Sequence, residues 1–355
     1  MKLAKRLLQA VNHDTSGLFS DCFLDDVRSG EYSLKEIAWA FRKGFAPSTV
    51  RYLKINESNI HNYLSEKSYF AGHPYNRWSV IRINDKLTYK YALAKFDEYL
   101  PEYYLLITRD GKIRKLPDYP EATLDFAGFD SLLSARGSLA VKRIRGCAGE
   151  GFYLAEKSQG EILVNGRHVD PGEWFSDLLH TPFEYVVTAT VTQHDKYRSV
   201  WPHAVHCIRL QTVTLDGEAQ VLFAFIRFGC AQSPCFTGHF FGESVFGDID
   251  IDKGTVVGNL CRVEDGRVVE YPVHPDTGVP ASGPIPNWAL IKDKLLEMHR
   301  YLADLDYLGW DVAVTEDGFE ILEVNSLTGL RCTQLFRPTM LDQRMKSFFM
   351  EHGVE

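Results

Sequence analysis

Tyr307-Leu-Gly-Trp-Asp311-Val-Ala-Val-Thr-Glu-Asp-Gly318-Phe-Glu-Ile-Leu-Glu323-Val-Asn325-Ser326 is the stretch that decides how this chain reads. Gly309 is expected to stop a preceding amphipathic helix. Asp311 to Thr315 alternates with period two, as a half-buried strand does. Glu316, Asp317 and Gly318 form a hairpin turn, and Phe319 to Val324 the return strand. In such a hairpin Asp311 lies beside Glu323 and Asn325, and these two share a face. Three oxygen donors then converge with no His or Cys among them. That set suits Mg²⁺ shared with the phosphates of a nucleotide, not zinc. A solvated hairpin whose Asp caps and whose Asn turns the chain would use the same residues without chemistry.

Working outward, Ser138 to Lys157 reads as strand, glycine loop, strand, with Lys142 on the first strand and Gly146, Gly149 and Gly151 in the loop. A dinucleotide fingerprint would run into a helix and a P-loop would end in Gly-Lys-Ser/Thr; neither is present. A glycine loop between antiparallel strands folds over a triphosphate, because no Cβ keeps its N–H groups from the oxygens. Lys142 then adds a positive point charge. The same pattern also describes a plain glycine-rich hairpin corner.

The rest of the chain supplies context. Residues 1–80 look helical, with a capping box at Ser33–Glu36 and a stop at Gly44. Trp78 to Ile83 is expected as a strand, and Asn84 or Asp85 caps a helix carrying Lys86. Strands are expected at 103–108, 112–116 and 184–191, with helices near 129–135 and after Asp170. Two long strands form a hairpin around Asp216 and Gly217, each with one Arg in an apolar run: Arg209 and Arg227. A buried Arg needs an anion or carboxylate partner, unless it snorkels to a sheet edge. A two-residue turn would put the two on opposite faces; a three-residue turn with a bulge would put them on one. Residues 247–254 imitate an EF-hand loop, but Asn259 stands where the bidentate Glu is required. Asn287 is expected to cap a helix with the stripe Trp288, Ile291, Leu295, Met298, Leu302 and Leu305.

Composition bounds the function. The 355 residues are 45% hydrophobic and 24% charged, with a net charge of −8. Such a chain supports two or three subdomains and gives no basis for binding nucleic acid or an anionic membrane. No apolar run is long enough to span a bilayer. The seven cysteines are odd in number and scattered, as expected of a reduced cytoplasmic protein. Cys230, Cys235 and His239 lack a fourth zinc ligand at usual spacing.

Gly-x-Asp, strand, Asp-Gly, strand, Glu-x-Asn resembles the metal site of the ATP-grasp enzymes, and the order of the other elements follows that fold over residues 80 to about 330. Gln193-His194, Trp201 to Arg209 and Gly309-Trp-Asp311 resemble the sugar-transfer-associated ATP-grasp group, as does the helical leader. The resemblance implies an α+β fold of two subdomains clasping ATP: a helical region 1–80, a central and lid subdomain 81–187, and a C-terminal subdomain 188–355 with the metal site. It implies ATP and two Mg²⁺ as cofactors. Asp311, Glu323 and Asn325 would hold metal, and Lys86 and Lys142 would contact phosphates. Gly146, Gly149 and Gly151 would form the lid, Thr188, Ala189 and Thr190 the adenine hinge. His194 would stand near the ribose, and Arg209 and Arg227 would face the phosphates and reacting carboxylate. Two departures stand out. The hinge often carries Glu or Gln where Thr188 and Ala189 stand, and residues 235–242 replace an Asp-Asn and paired glycines.

The activity so implied is a carboxylate–amine ligase that forms an amide through an acyl phosphate, from small-molecule acid and amine substrates, in cell-surface polysaccharide or related metabolite chemistry. A kinase acting on an alcohol, or a non-catalytic nucleotide-binding protein, would use the same site.

Overall fold

The computed structural model describes residues 17–354 except 74, 121–122, 147–148, 159 and 233–243. Helices α1 (Leu18–Ser29), α2 (Leu34–Lys43), α3 (Pro47–Tyr52) and α4 (Glu66–Gly72) come first. The Ser33 side chain accepts from the Glu36 N–H while Glu36 reaches back to the Ser33 N–H, and Gly44 ends α2 at φ 79°. The capping box and left-handed stop are thus where the sequence puts them. Residues 77–82, expected as a strand, form a 3₁₀ turn instead. Val80 and Ile83 are the buried pair, a spacing of three that suits i→i+3 geometry better than alternation. Ser79 and Arg82 fasten the turn to Asp304. Helix α5 (Lys86–Ala92) follows, capped by Asp85, whose Oδ1 accepts from the N–H groups of Leu87 and Thr88.

A first antiparallel sheet uses β1 (Tyr103–Ile107), β2 (Ile113–Lys115), β3 (Ser138–Arg143), β4 (Phe152–Ser158), β5 (Glu161–Val164), β6 (Arg167–His168) and β7 (Tyr185–Ala189), in the order β2-β1-β7-β3-β4-β5-β6. Helices α6 (Phe126–Arg136) and α7 (Pro171–Leu179) cover one face. There Phe129, Leu132, Leu133, Phe175 and Leu178 pack on Leu105, Leu139, Val141 and Val187, each fully buried side chain contributing roughly 1.5–3 kcal/mol. Alternation leaves Ser138, Ala140 and Lys142 of β3 on the other face.

After the short α8 (Asp195–Arg198), a second antiparallel sheet is built from β8 (Cys207–Leu215), β9 (Glu218–Phe228), β10 (Val245–Asp250), β11 (Thr255–Glu264), β12 (Arg267–Tyr271), β13 (Gly283–Pro284), β14 (Tyr307–Val314) and β15 (Phe319–Asn325). Its order is β12-β11-β10-β9-β8-β14-β15, with β13 on β11. Helix α9 (Trp288–Tyr301) lays Ile291, Leu295 and Met298 on one face, against Ile208, Leu210 and Val312. The other face packs on α10 (Leu330–Phe336), α11 (Gln343–Glu351) and Tyr69 of α4, through Phe223, Tyr307, Phe348 and Phe349.

Three local readings need correcting. Gly309 does not stop a helix: α9 ends at Tyr301, and Gly309 lies inside β14. A Cβ there would sit 2.9 Å from Thr328 Cγ2, so close packing explains the glycine. Asn287 does precede α9, but its side chain makes no cap. It donates instead to the carbonyls of Thr315, Glu316 and Gly318, and so holds the turn between β14 and β15. The β8–β9 hairpin has a two-residue turn, Leu215 opposite Glu218, plus a bulge at mid-length. Cys207 pairs Arg227 and Arg209 pairs Phe225, which brings both arginines to one face. The EF-hand imitation is a strand running into a turn, with Asp248 bonded to Arg337. Among the described residues no group of three His, Cys, Asp or Glu is placed to hold a metal ion; Cys235 and His239 lie outside them.

Candidate active site

A cavity of about 810 Å³ opens between the free face of the first sheet and the β8, β9, β14 and β15 ends of the second. This is the size of a site for a drug-sized ligand. On the first-sheet side, Lys142, Ala140 and Ser138 line it beside Phe152, Leu154 and Glu156. Lys142 is half-buried, and burial, with Lys86 nearby, pushes its ammonium down to about 8. A lysine so placed gains from an anionic ligand that restores the charge.

Lys86, the first residue of α5, joins the two walls. Its Nζ donates to the Gly146 carbonyl (3.2 Å) and pairs with Glu323 Oε1 (2.7 Å). Asp85 braces this corner by capping α5 and accepting from Arg145 Nε at 2.9 Å. Gly146 and Gly149 line the cavity. Gly151 lies beside them at φ 67°, where a Cβ would sit 2.3 Å from Arg143 Nε. Arg143 is the residue the sequence reading missed. Its guanidinium stacks 3.6 Å from the Phe183 ring centroid, and the described ends of the glycine loop rest on its stem. The Lys142-Arg143 pair just before the loop was the available signal.

On the second-sheet side a bulge decides which groups face the cavity. Asp311 pairs Glu323, but Val312 pairs Ile321, so Leu322 is the extra residue. Leu322 and Glu323 both line the cavity. Asp311 is almost fully buried and held on every side. Oδ1 accepts from Arg209 Nε (2.6 Å) and Arg227 Nη2 (3.0 Å); Oδ2 accepts from Arg209 Nη2 (2.7 Å) and Asn325 Nδ2 (3.3 Å). A carboxylate offers about four acceptor positions, and these bonds fill them. Burial works against both guanidinium charges, yet Asp311 more than offsets it and both arginines are raised. Arg227 reaches the cavity wall, and its Nη2 also meets Cys207 Sγ at 3.2 Å. Arg209 lies on the same face but is not part of the wall; its Nη1 donates to the Thr328 carbonyl.

Residues 65–349 match the family described as sugar-transfer associated ATP-grasp. The chain belongs to that family. Similar solved structures include D-alanyl-alanine synthetase A from Vibrio cholerae, at 12% identity and TM-score 0.42, over 77% of this chain and 64% of that one. D-Alanine–D-alanine ligase from Bacillus anthracis has 12% identity and TM-score 0.38, over 76% and 67%. N5-carboxyaminoimidazole synthase from Aspergillus clavatus, in a complex that includes ADP, has 12% and 0.38, over 78% and 59%. The chain thus spans somewhat less than two thirds of the length of the first of these. None of the curated proteins compared with it matches. Among the described residues no helix is long and apolar enough to cross a membrane.

In this ATP-grasp protein the hinge differs from expectation. Thr188 is fully buried, bonds the Ala189 carbonyl and is not in the wall; Ala189 and Thr190 are. The Ala189 N–H is taken by the Glu102 carbonyl. His194 also faces away. Its Nδ1 accepts from the Lys196 N–H at the start of α8 and its Nε2 approaches Glu316. Gln193 lines the cavity instead, clamped to the His206 backbone by two hydrogen bonds.

The family implies magnesium, and the donor chemistry bears on it. Glu323 and Asn325, two residues apart on β15, carry the hard oxygen donors that Mg²⁺ takes, but Asn325 lies outside the cavity wall and Glu323 Oε1 is paired with Lys86. Asp311 could join them only by giving up one of the four bonds that now fill its carboxylate.

Proposed function

We propose that this protein is an ATP- and Mg²⁺-dependent carboxylate–amine ligase acting on small molecules. What carries the reading is one cavity in an ATP-grasp chain that gathers Lys86, Lys142, Arg227 and Glu323 from four elements. Lys86 and Lys142 bind the triphosphate, with Gly146, Gly149 and Gly151 above it. Glu323 and Asn325 hold the metal, which when bound neutralises phosphate charge; Asp311 joins on releasing a bond. Arg227 holds the reacting acid by a planar two-point contact once its Nη2 releases Cys207 Sγ. An oxygen of the acid attacks the γ-phosphorus, and the bond to the ADP oxygen breaks. The amine nitrogen then attacks the acyl carbon and phosphate leaves with the carbon–oxygen bond, while the nitrogen sheds a proton to solvent. Catalysis here is positioning and charge neutralisation, with no protein nucleophile. On the family's description, we place the reaction in cell-surface polysaccharide or related metabolite chemistry, in the cytoplasm.

The test is a screen of ADP release over pairs of acids and amines. Turnover that requires both partners supports the ligase. Turnover with an alcohol alone, yielding a stable phosphate ester, would replace it with a kinase.

A further inference from the structure

Thr188 leaves the hinge without an acidic or amide side chain, and the structure buries it out of the cavity. The facing wall supplies a replacement. Across β3 and β4, Lys142 stands opposite Phe152, Ala140 opposite Leu154, and Ser138 opposite Glu156. All six line the cavity. The wall therefore runs from a cation, past a small apolar and aliphatic pair, to a carboxylate. Four residues of strand separate Lys142 from Ser138, about 13 Å at the usual rise. That is close to the reach from the outer phosphates of an extended nucleoside triphosphate to its base. With phosphates at Lys142 and Lys86, the base slides between Ala140 and Leu154 on one side and Leu322 on the other, all in the wall. Its far edge then arrives at Glu156.

At that end the Ser138 and Thr190 hydroxyls bond each other at 2.7 Å. Ala140, Leu154, Ser138 and Thr190 carry no charge; among the described residues of β3 and β4 at this end Glu156 is the carboxylate, while Arg198, also in the wall, is paired with Asp195. An ionised carboxylate only accepts hydrogen bonds. It accepts from the exocyclic amine of adenine and meets the O6 of guanine with two acceptors facing each other, which leaves both unpaired.

Resting on the nucleotide site proposed above, we infer that Glu156, on the lid strand β4, is the residue that selects adenine by accepting its exocyclic amine. It touches the base rather than the reacting atoms, so it sets specificity.

The experiment is a cycle of ligand and side-chain deletions, read by calorimetry on the full chain. The ligands are ATP, GTP and purine riboside triphosphate, which lacks the amine. Wild type should bind ATP roughly 10–100-fold more tightly than purine riboside triphosphate, the range for a hydrogen bond to a charged group. Glu156→Ala should bind those two within about twofold, because the acceptor that told them apart is gone. Glu156→Gln, nearly isosteric and able to donate to O6, should gain on GTP relative to ATP. Unchanged discrimination in Glu156→Ala would overturn the assignment while leaving the nucleotide site intact. Wild type that binds ATP and purine riboside triphosphate equally would overturn it without any variant. No nucleotide binding by folded wild type would remove the site and this inference together.

Discussion

The two walls of the cavity solve the same electrostatic problem in opposite ways. On β3, Lys142 is half-buried beside another cation, and its charge is held at a cost that lowers it to about 8. On β8, β9 and β14, two guanidiniums surround one carboxylate whose acceptor positions are filled. On the first wall the Lys142 ammonium gains from a ligand that brings negative charge beside it. The second is settled before any ligand arrives, and its geometry is fixed by bidentate contacts. A wall of the first kind is suited to binding an anion, one of the second kind to holding a reactant in place.

Removing the carboxylate tests the settled wall hardest. Asp311→Ala leaves Arg209 and Arg227 buried and uncompensated, so the protein should lose about 3–5 kcal/mol of stability along with turnover. Chemical denaturation measures this. A metal-only role for Asp311, as the hairpin alone suggested, would leave the denaturation midpoint near wild type.

Arg227→Lys keeps the charge but removes the fork. Turnover should fall by roughly 10²-fold, the scale of a misplaced reactant, while ATP affinity by calorimetry stays near wild type. If both hold at wild-type values, Arg227 only braces Asp311 and the acid is held elsewhere.

Lys142→Met addresses the unsettled wall. ATP should bind roughly 10-fold more weakly at pH 7, the loss of one charge-assisted contact. In wild type, affinity should fall as pH rises through about 8, since the free protein then sheds the ammonium proton; in Lys142→Met that dependence should vanish. Stability has the opposite sign. Between about 8 and the ordinary lysine range the unfolded chain still holds the proton that the folded chain has lost, so folding should strengthen with pH across that window. A pH-independent affinity in wild type would take Lys142 off the phosphates.

The smallest effect belongs to His194→Ala. Its ring serves the start of α8 and Glu316, outside the wall. ATP affinity should stay within about twofold and stability within roughly 1 kcal/mol. A large loss of affinity would return His194 to the nucleotide.

How far the sequence could be read follows from range. The β14–β15 hairpin and the Asp85 cap are local patterns, carried by spacings of a few residues, and both elements form where expected. The 77–82 turn was not legible, because Asp304 and the burial of Val80 and Ile83 decide it. The common face of Arg209 and Arg227 depends on a bulge that no turn residue announces. Their partner, Asp311, stands on a third strand, so its role as their anchor comes from sheet order. The position of Glu156 across from Ser138 required the register of β3 on β4.

The central claim is that this cavity activates an acid as an acyl phosphate. Hydroxylamine trapping tests it most directly: enzyme, Mg²⁺, ATP and the acid found in the screen, with hydroxylamine in place of the amine. The expected result is a hydroxamate of that acid, formed one for one with ADP in wild type and lost in Glu323→Ala. ADP formed at the wild-type rate with no hydroxamate, or hydroxamate formed equally well by Glu323→Ala, would contradict it.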